Sequence, residues 1–306
     1  MPVDTYRTQS RGGRGVNAQN LKEEDYVKSL NVASTHDHML FFTDQGRVHH
    51  RKGYQIPEAG RTARGTAIVN ILPLNPGEAV TAMVVTREFN EDEYLVMVTR
   101  KGTVKRIPFI ALKTNRKGGI RAITLDEDDH LINVIRTGGD DNILLATREG
   151  MAICFNENDV RPMGRDAAGV RGISLSEGDY VVGAEKAEEG KTLLTVTERG
   201  FGKRTELSEY LRTGADGEKT AQSRGGKGLK NYNITSKTGK VAGCRVVAET
   251  DDIMLIENGG VIIRIPASSI NVYKRDVQGV IVMRIEEGNQ LVSMERIESV
   301  EESEEN

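Results

Sequence analysis

The hydrophobic positions of the chain come in short runs, and five of these runs end beside a glycine at a similar spacing. In four of them two residues separate a threonine from the glycine: Thr43 and Gly46, Thr99 and Gly102, Thr147 and Gly150, and Thr197 and Gly200. In the fifth, Ile256 stands in place of threonine before Gly259. Alternating apolar and basic residues follow each glycine. The pattern predicts a strand, a tight turn and a second strand, that is, a β-hairpin.

A second signature alternates with the hairpins and consists of a cation, three further residues and a glycine. It lies at residues 11–15, 61–65, 165–169, 224–228 and 275–279, and in a shifted form at 115–119, where Arg116 and Lys117 supply the cations. The six glycines are 50, 54, 50, 59 and 51 residues apart. A period near 50 that is built from short strands predicts a propeller-like repeat architecture.

Helical patterns are nearly absent, so the predicted fold is all-β and propeller-like, with six repeats. The repeats run roughly over residues 1–35, 36–90, 91–138, 139–188, 189–249 and 250–285. A hairpin glycine usually precedes a loop glycine by about 19 residues, which would put the first hairpin before residue 1. We therefore expect the first blade to be incomplete at the N-terminus, with its missing part on a longer parent protein.

Charge divides the chain into a mildly basic body and an acidic tail. The net charge is −3, but residues 286–306 hold eight glutamates against Arg296 alone and contribute −7. Residues 1–285 therefore carry +4, and any basic surface must come from clustering rather than excess. We expect residues 286–306 to form an acidic C-terminal tail.

The residue patterns point away from catalysis, metal binding and membrane insertion. No apolar stretch approaches 18 residues, and Cys154 and Cys244 lie far apart without a histidine companion, which fits a reduced, cytoplasmic compartment. His36 and His38 lack a third ligand, so no metal site is predicted. No nucleophile elbow, HExxH motif or Walker A loop occurs, so no catalytic centre is predicted.

One seven-residue string occurs twice with little change. Gln-Ser-Arg-Gly-Gly-Arg-Gly occupies residues 9–15, the first RGG loop, and Gln-Ser-Arg-Gly-Gly-Lys-Gly occupies residues 222–228, the second RGG loop. Three glycines allow the backbone to approach a ligand closely, while the two cations reach the same object. The natural ligand for such a loop is an anionic polymer.

The other repeats carry cations at related positions, which predicts a basic belt around the ring that binds duplex DNA through its phosphates. The alternative is that these arginines pair with carboxylates of neighbouring blades and hold the ring together. The predicted contacts are Gln9, Arg11, Gly12, Gly13, Arg14, Gly15, Arg47, Arg51, Arg61, Arg64, Lys105, Arg106, Arg116, Lys117, Arg165, Arg171, Lys203, Arg204, Arg224, Gly225, Gly226, Lys227, Gly228 and Arg275.

The RGG loops resemble the GyrA box, the signature of the C-terminal domain of the bacterial DNA gyrase A subunit. Residues 6–8, 60–65, 164–169 and 202–204 are similar to that family as well, and the resemblance covers essentially the whole chain. It implies a six-bladed β-pinwheel, with its first blade incomplete here, whose rim wraps double-stranded DNA and so enables ATP-dependent negative supercoiling. The first RGG loop would then be the box required for the wrap, at the seam of the ring.

The resemblance also implies partners and a division of labour. The partners would be the gyrase B subunit, together with the rest of the gyrase A subunit, in an A2B2 heterotetramer in the nucleoid region of the cytoplasm. ATP and Mg²⁺ would act in other parts of that enzyme, so no cofactor is expected in this chain. The alternatives are the related C-terminal domain from the A subunit of topoisomerase IV and a propeller that serves as a protein-interaction scaffold, with a propeller enzyme third.

Overall fold

The structure is a computed structural model that describes residues 16–17, 33–59 and 65–297. Within these ranges the chain forms short strands and single 3-10 turns, and no α-helix. The strands are β1 (Val16–Asn17), β2 (His38–Thr43), β3 (Arg47–Lys52), β4 (Val80–Thr86), β5 (Tyr94–Thr99), β6 (Thr103–Pro108), β7 (Ile120–Arg121), β8 (Leu131–Thr137), β9 (Asn142–Thr147), β10 (Met151–Asn156), β11 (Val170–Arg171), β12 (Val181–Lys186), β13 (Thr192–Thr197), β14 (Phe201–Glu206), β15 (Arg212–Thr213), β16 (Lys219–Thr220), β17 (Leu229–Lys230), β18 (Val241–Val247), β19 (Asp252–Glu257), β20 (Val261–Pro266), β21 (Val280–Ile281) and β22 (Leu291–Ile297). The 3-10 turns are Gly53–Gln55, Ile68–Asn70, Phe109–Leu112, Glu157–Asp159, Leu207–Tyr210 and Ala267–Ser269.

Twenty of these strands form five antiparallel, four-stranded blades, and β15 and β16 form a separate two-stranded ribbon. Each blade consists of a hairpin, an inner strand from the same repeat and a two-residue outer strand donated by the following repeat. From the inner to the outer strand, blade I is β4-β2-β3-β7, blade II β8-β5-β6-β11, blade III β12-β9-β10-β17, blade IV β18-β13-β14-β21 and blade V β22-β19-β20-β1. The all-β, propeller-like prediction is confirmed. The prediction of a sixth, incomplete blade concerns residues that lie mostly outside the described ranges.

The outer strand of the last blade comes from the beginning of the chain. Val16 pairs with Ile262 and Asn17 with Val261, which makes β1 the fourth strand of blade V. The segment that directly follows the first RGG loop therefore completes a blade whose other strands lie more than 230 residues further along the chain.

The inner strands pack side by side around a central channel. β4, β8, β12, β18 and β22 contact one another in that order. They line most of a cavity of about 860 Å³. Buried side chains of neighbouring blades pack together, as Leu40 and Val48 of blade I do with Leu95 and Ile107 of blade II. This packing sets the position of one blade edge relative to the next.

The Thr-x-x-Gly signature is explained by the hairpin turn. The hydroxyl of Thr43 accepts a hydrogen bond from the backbone N–H of Arg47 at 3.2 Å, and the same bond recurs at the other three threonines. Gly46 has a φ of +75°, a conformation that glycine adopts at little cost. Its carbonyl accepts hydrogen bonds from Ala122 and Ile123 of the next repeat. The turn thus closes the hairpin and also positions the strand donated by the following repeat.

The fifth hairpin is shifted by one residue from the predicted register. Glu257 takes the place of threonine and Gly260, with a φ of +83°, is the turn glycine, so the assignment to Ile256 and Gly259 was wrong. The N–H of Gly260 donates to the carbonyl of Glu257 at 3.0 Å, as that of Gly46 does to Thr43. Adjacent glycines and the loss of the threonine concealed the register.

The predicted boundary of the acidic tail was also wrong. Leu291–Ile297 is the inner strand of blade V and pairs with β19 along its length. Leu291 and Met294 are buried, and the Glu295 carboxylate lies 3.6 Å from the Arg245 guanidinium. The one glutamate of this strand, Glu295, therefore lines the channel. The remaining tail, residues 298–306, lies outside the described ranges.

Candidate nucleic-acid interface

The outer edges of three consecutive blades each end on an exposed cation. Arg121, Arg171 and Lys230 are the second residues of the two-residue outer strands of blades I, II and III. Because successive side chains of a strand face opposite sides, the first residue of each strand turns toward the core and the second toward solvent. The equivalent position in blade IV is Ile281, which is 43% exposed, and in blade V it is Asn17. The described basic edge therefore runs over blades I to III.

The loops that lead into these outer strands add further cations. Arg116 and Lys117 precede β7, Arg165 precedes β11 and Lys227 precedes β17, and all four side chains are exposed. None of them forms an ion pair with another described residue. Their charge is available to a ligand at the same edge as Arg121, Arg171 and Lys230.

The second RGG loop is anchored at its start and turns sharply at two glycines. The buried Gln222 amide donates from Nε2 to the Tyr210 carbonyl at 2.9 Å, and its backbone N–H donates to Cys154 at 2.8 Å. Gly225 has a φ of +81°, and its N–H donates to the carbonyl of Gly172 at 2.6 Å. The loop is therefore fixed to blade III at one end and to the edge of blade II in its middle.

Arg224 is half-buried and links two blades. Its Nε donates to the Asp159 carbonyl at 2.7 Å and its Nη1 to the Arg171 carbonyl at 3.1 Å. Its backbone N–H donates to the Asp159 carboxylate at 3.2 Å. Arg275 repeats part of the arrangement, since its Nη1 donates to the Lys230 carbonyl at 3.1 Å. In these two repeats the first cation of the signature ties one blade edge to the next, a packing role that the glycine-rich sequence does not suggest.

Two predicted DNA contacts are lysines with no solvent-exposed surface in the structure. Lys105 donates from Nζ to the carbonyls of Ala122, Arg165 and Ala167 at 2.7, 2.6 and 3.0 Å. Lys203 donates to the carbonyls of Lys274 and Arg275 and to the Thr205 hydroxyl. Both ammonium groups hold loop backbone from beneath, so we remove both lysines from the set of candidate contacts.

The neighbouring arginines are buried as well. Arg106 is 4% exposed, with Nε 2.9 Å from the Glu157 carboxylate and its guanidinium 3.9 Å from the Tyr94 ring centre. Arg204 is 5% exposed, and its Nε donates to the Ile270 carbonyl at 2.6 Å. These two arginines stabilise the ring, as the alternative interpretation of the repeated cations predicts. We therefore remove them from the candidate contacts as well.

The pKa of Lys203 gives a test of its burial. Desolvation lowers this pKa from 10.5 to about 7. Between these values the unfolded chain holds the proton that the folded chain has lost, so the free energy of unfolding rises with pH. Relative to Lys203→Met, the unchanged protein should gain up to about 1.4 kcal/mol per pH unit in this window, measured by urea unfolding. Lys227→Met, at an exposed position, should show no such difference, and parallel curves for Lys203→Met would contradict the prediction.

The remaining predicted contacts divide into half-buried residues and residues outside the described ranges. Arg47 pairs with Glu78 at 2.8 Å and donates to the Gly118 carbonyl at 2.5 Å, and Arg51 donates to the Ile71 carbonyl at 3.1 Å. Both retain some exposure at blade I. Those outside the described ranges are Gln9, Arg11, Gly12, Gly13, Arg14, Gly15, Arg61 and Arg64.

The predicted contacts omitted two of the three cations of the basic edge, Arg121 and Lys230. The signal was present, because in three repeats the loop glycine is followed by an apolar residue and then a cation: Gly119 to Arg121, Gly169 to Arg171 and Gly228 to Lys230. Counting two residues beyond the loop glycine finds all three exposed edge cations.

Two of the five histidines contact each other, and one of them also contacts a lysine. His38 Nδ1 lies 2.7 Å from His50 Nε2, and the Lys52 ammonium lies 2.8 Å from His38 Nε2. Burial and the neighbouring lysine lower the pKa of His38.

Among the described residues, no three His, Cys, Asp or Glu side chains lie together where they could hold a metal ion. In the same part of the chain, no helix has the length and apolar character needed to cross a membrane.

Two solved structures share this architecture. A DNA gyrase A C-terminal domain superposes with a TM-score of 0.80 at 25% identity, covering 97% of this chain and 95% of that one. The C-terminal domain of a DNA topoisomerase IV gives 0.77 at 27% identity, covering 86% and 80%. The fold of this chain is that of the C-terminal domains of DNA gyrase A and DNA topoisomerase IV.

Sequence comparison identifies the family of this chain within that class of domains. A family model described as DNA gyrase C-terminal domain, beta-propeller, matches residues 1–34, 37–87, 93–137, 141–188, 191–221, 220–248 and 251–298. The chain therefore belongs to the DNA gyrase C-terminal domain family. The DNA gyrase A subunit of Clostridium acetobutylicum is 46% identical over 99% of this chain and 36% of that protein, and that of Staphylococcus epidermidis is 43% identical over 94% and 32%. The chain spans about a third of the length of these curated relatives.

Proposed function

We propose that this chain binds duplex DNA along its outer edge and wraps it, as the non-catalytic part of a DNA gyrase that introduces negative supercoils at the expense of ATP. The observation that carries the proposal is the row of exposed cations, Arg121, Arg171 and Lys230, at one register position of three consecutive blades. Phosphate contacts of this kind are independent of sequence, so an evenly repeated row favours DNA that bends along it.

The rest of the enzyme would supply the chemistry. The remainder of the gyrase A subunit, together with the gyrase B subunit, would complete an A2B2 assembly in the cytoplasm, with ATP and Mg²⁺ bound outside this chain. The relatives are subunits of DNA gyrase, and their greater length leaves room for such parts. The first RGG loop lies directly before β1, which closes blade V, so it would contact DNA at the seam of the ring.

A salt titration of DNA binding tests the proposal. The chain should bind a duplex of about 150 base pairs, near the persistence length of DNA, more tightly than a duplex of about 20 base pairs. Replacing Arg121 and Arg171 together with glutamine should weaken binding and flatten the slope of log K against log salt concentration by about 2, since each phosphate contact contributes about 0.9. Fluorescence anisotropy measures both quantities.

The matched control removes two exposed charges elsewhere. Arg87 and Arg100 are exposed and each lines a cavity away from the outer strands, so their joint replacement with glutamine should leave the salt slope unchanged. A scaffold for protein partners would instead bind DNA weakly, without dependence on its length. Equal loss of slope in both double variants, or no DNA binding by the unchanged protein, would rule out the edge as the interface.

A further inference from the structure

The outer edge of blade IV carries less positive charge than the outer edges of blades I to III. Four rim segments are described in full, each made of the eleven residues that end two positions beyond a loop glycine. They are residues 111–121, 161–171, 220–230 and 271–281, at blades I, II, III and IV. Their formal net charges are +4, +2, +3 and +1. The charge is therefore smallest at blade IV.

The rim segments of blades II and IV align residue for residue in the structure. Pro162 forms a bridge with the fourth residue of the second hairpin strand, and so does Val272. Val170 and Val280 each pair with the second residue of that strand. The two segments therefore follow the same edge in the same register, and their side chains can be compared position by position.

At both ends of the segment, an arginine of blade II is replaced by an uncharged residue in blade IV. Arg161 corresponds to Asn271 and Arg171 to Ile281, and all four side chains are exposed. Ile281 is 43% exposed, and Val272, beside Asn271, is 42% exposed. Blade IV thus presents hydrocarbon to solvent at the position where the outer strands of blades I to III end on a cation.

The cations that blade IV retains do not make up this difference. Arg275 is half-buried, and its Nη1 donates to the Lys230 carbonyl on the outer strand of blade III at 3.1 Å. Lys274 is exposed and forms no ion pair with another described residue. However, Asp276 is also exposed two residues further on and carries the opposite charge. A duplex at this edge would meet one available ammonium group beside a carboxylate.

A duplex that bends around the ring requires favourable contacts at each blade that it follows. Every further blade requires more bending, and the elastic cost is offset only by the contacts that the bend permits. An apolar side chain against a phosphate displaces water from a charge and supplies no hydrogen bond in return. Attraction from the cations of blade III decays over a screening length of about 8 Å at physiological salt, so it weakens along blade IV. DNA on blades I to III therefore gains little by continuing onto blade IV.

We propose that blade IV ends the DNA path: the duplex bound along the outer edges of blades I to III leaves the ring there, and the uncharged Val272 and Ile281 limit the length of DNA that is wrapped. The inference rests on the proposed DNA-wrapping function and adds the place on the ring where one end of the wrap lies.

Extending the row of edge cations by one blade tests the proposal. Ile281→Lys gives blade IV a cation at the position of Arg121, Arg171 and Lys230. The slope of log K against log salt concentration should become steeper by about 0.9, the contribution of one phosphate contact. The duplex length beyond which affinity no longer increases should rise as well, because a longer path takes up more base pairs. Fluorescence anisotropy with duplexes of graded length measures both quantities.

Two control variants separate the position of the new charge from its presence. Gln290→Lys adds the same charge away from the outer strands, since Gln290 is exposed and lines the central channel. Ile281→Gln removes the hydrocarbon surface without adding charge. Both variants should keep the salt slope and the saturating duplex length of the unchanged protein. An equally steep slope in Gln290→Lys and Ile281→Lys would mean that charge strengthens binding wherever it lies, which would overturn the inference.

A cleavage reagent attached to the protein locates the DNA without adding a cation. Cys154 and Cys244 are buried, so a cysteine introduced at an exposed position can be labelled selectively with an iron chelate. Pro162→Cys on blade II and Val272→Cys on blade IV have the same register, and neither removes a charge. With a bound duplex of about 150 base pairs, the Pro162→Cys conjugate should cut DNA about tenfold more than the Val272→Cys conjugate.

The outcomes distinguish failure of the inference from failure of the proposed function. Absence of DNA binding, or binding that does not depend on duplex length, would contradict the proposed function itself. If the unchanged protein wraps DNA and both conjugates cut it equally, DNA already follows blade IV and the inference alone fails. It also fails if Ile281→Lys steepens the salt slope without increasing the saturating length, or changes neither quantity.

Discussion

Replacing Arg106 with methionine is expected to lower the free energy of unfolding by about 3–5 kcal/mol, the usual cost of breaking a buried ion pair by removing one partner. Glu157 is fully buried, and it would keep its bonds to the Thr137 hydroxyl and the Gly139 N–H but lose the guanidinium 2.9 Å away. Arg106 also packs on the Tyr94 ring. Urea unfolding at neutral pH measures the effect.

Two comparisons show whether the loss of stability comes from the unpaired carboxylate of Glu157. Adding Glu157→Gln to Arg106→Met removes the uncompensated charge and should recover a large part of the stability. Arg116→Met, at an exposed arginine of the rim, should change the free energy of unfolding by less than about 0.5 kcal/mol. A similar small cost for Arg106→Met would mean that Arg106 is free to serve as the DNA contact that the sequence first indicated.

The hairpins could be predicted because their signals are local. The threonine hydroxyl and the turn glycine act within four residues of each other, so Thr-x-x-Gly reports a single hydrogen-bonded turn. The outer strands could not be predicted. Each is two residues long and pairs with a hairpin of the preceding repeat, as Ile120 does with Val48, and such a short pairing leaves almost no pattern.

The burial of Lys105 and Arg106 was beyond sequence reasoning for a related reason. In a sheet with one wet face, adjacent lysine and arginine residues would put one charge into water. The second hairpin strand is instead covered on both faces by neighbouring blades, and Val104–Ile107 are all buried. Charged side chains in such a strand instead form buried hydrogen bonds and ion pairs. The alternation of residue types along the sequence cannot distinguish them from the cations of a basic surface.

The structure explains why each copy of the loop signature ends in a glycine. A Cβ on Gly169, Gly228 or Gly279 would come within 2.5, 2.3 or 2.3 Å of the carbonyl oxygen of Val104, Ala152 or Gly202. Each of these carbonyls belongs to the second residue of the second hairpin strand. The glycine thus permits the donated outer strand to approach its blade, which is why it recurs once per repeat whatever the other loop residues are.

Gly228→Ala is therefore expected to lower the free energy of unfolding by about 3 kcal/mol, through a backbone clash together with a φ of +75° that alanine tolerates poorly. The added methyl group would push the loop away from Ala152 and break the pairing of β17 with β10. Lys230 would then leave the basic edge, so wrapping should fall together with stability. Urea unfolding measures the loss of stability. The change in linking number of a relaxed DNA circle that is closed in the presence of the protein measures the loss of wrapping.

The second RGG loop contains its own control at Gly226. A Cβ there would meet Ile153 Cδ1 at an ordinary 3.7 Å, so Gly226→Ala should cost no more than about 1 kcal/mol. If the two alanine variants were equally destabilised, flexibility of the whole loop, rather than close approach at one residue, would explain the repeated glycine. If only Gly228→Ala is destabilised and loses wrapping, the outer strand must dock against its blade before the cations of the loop and edge can act together on DNA.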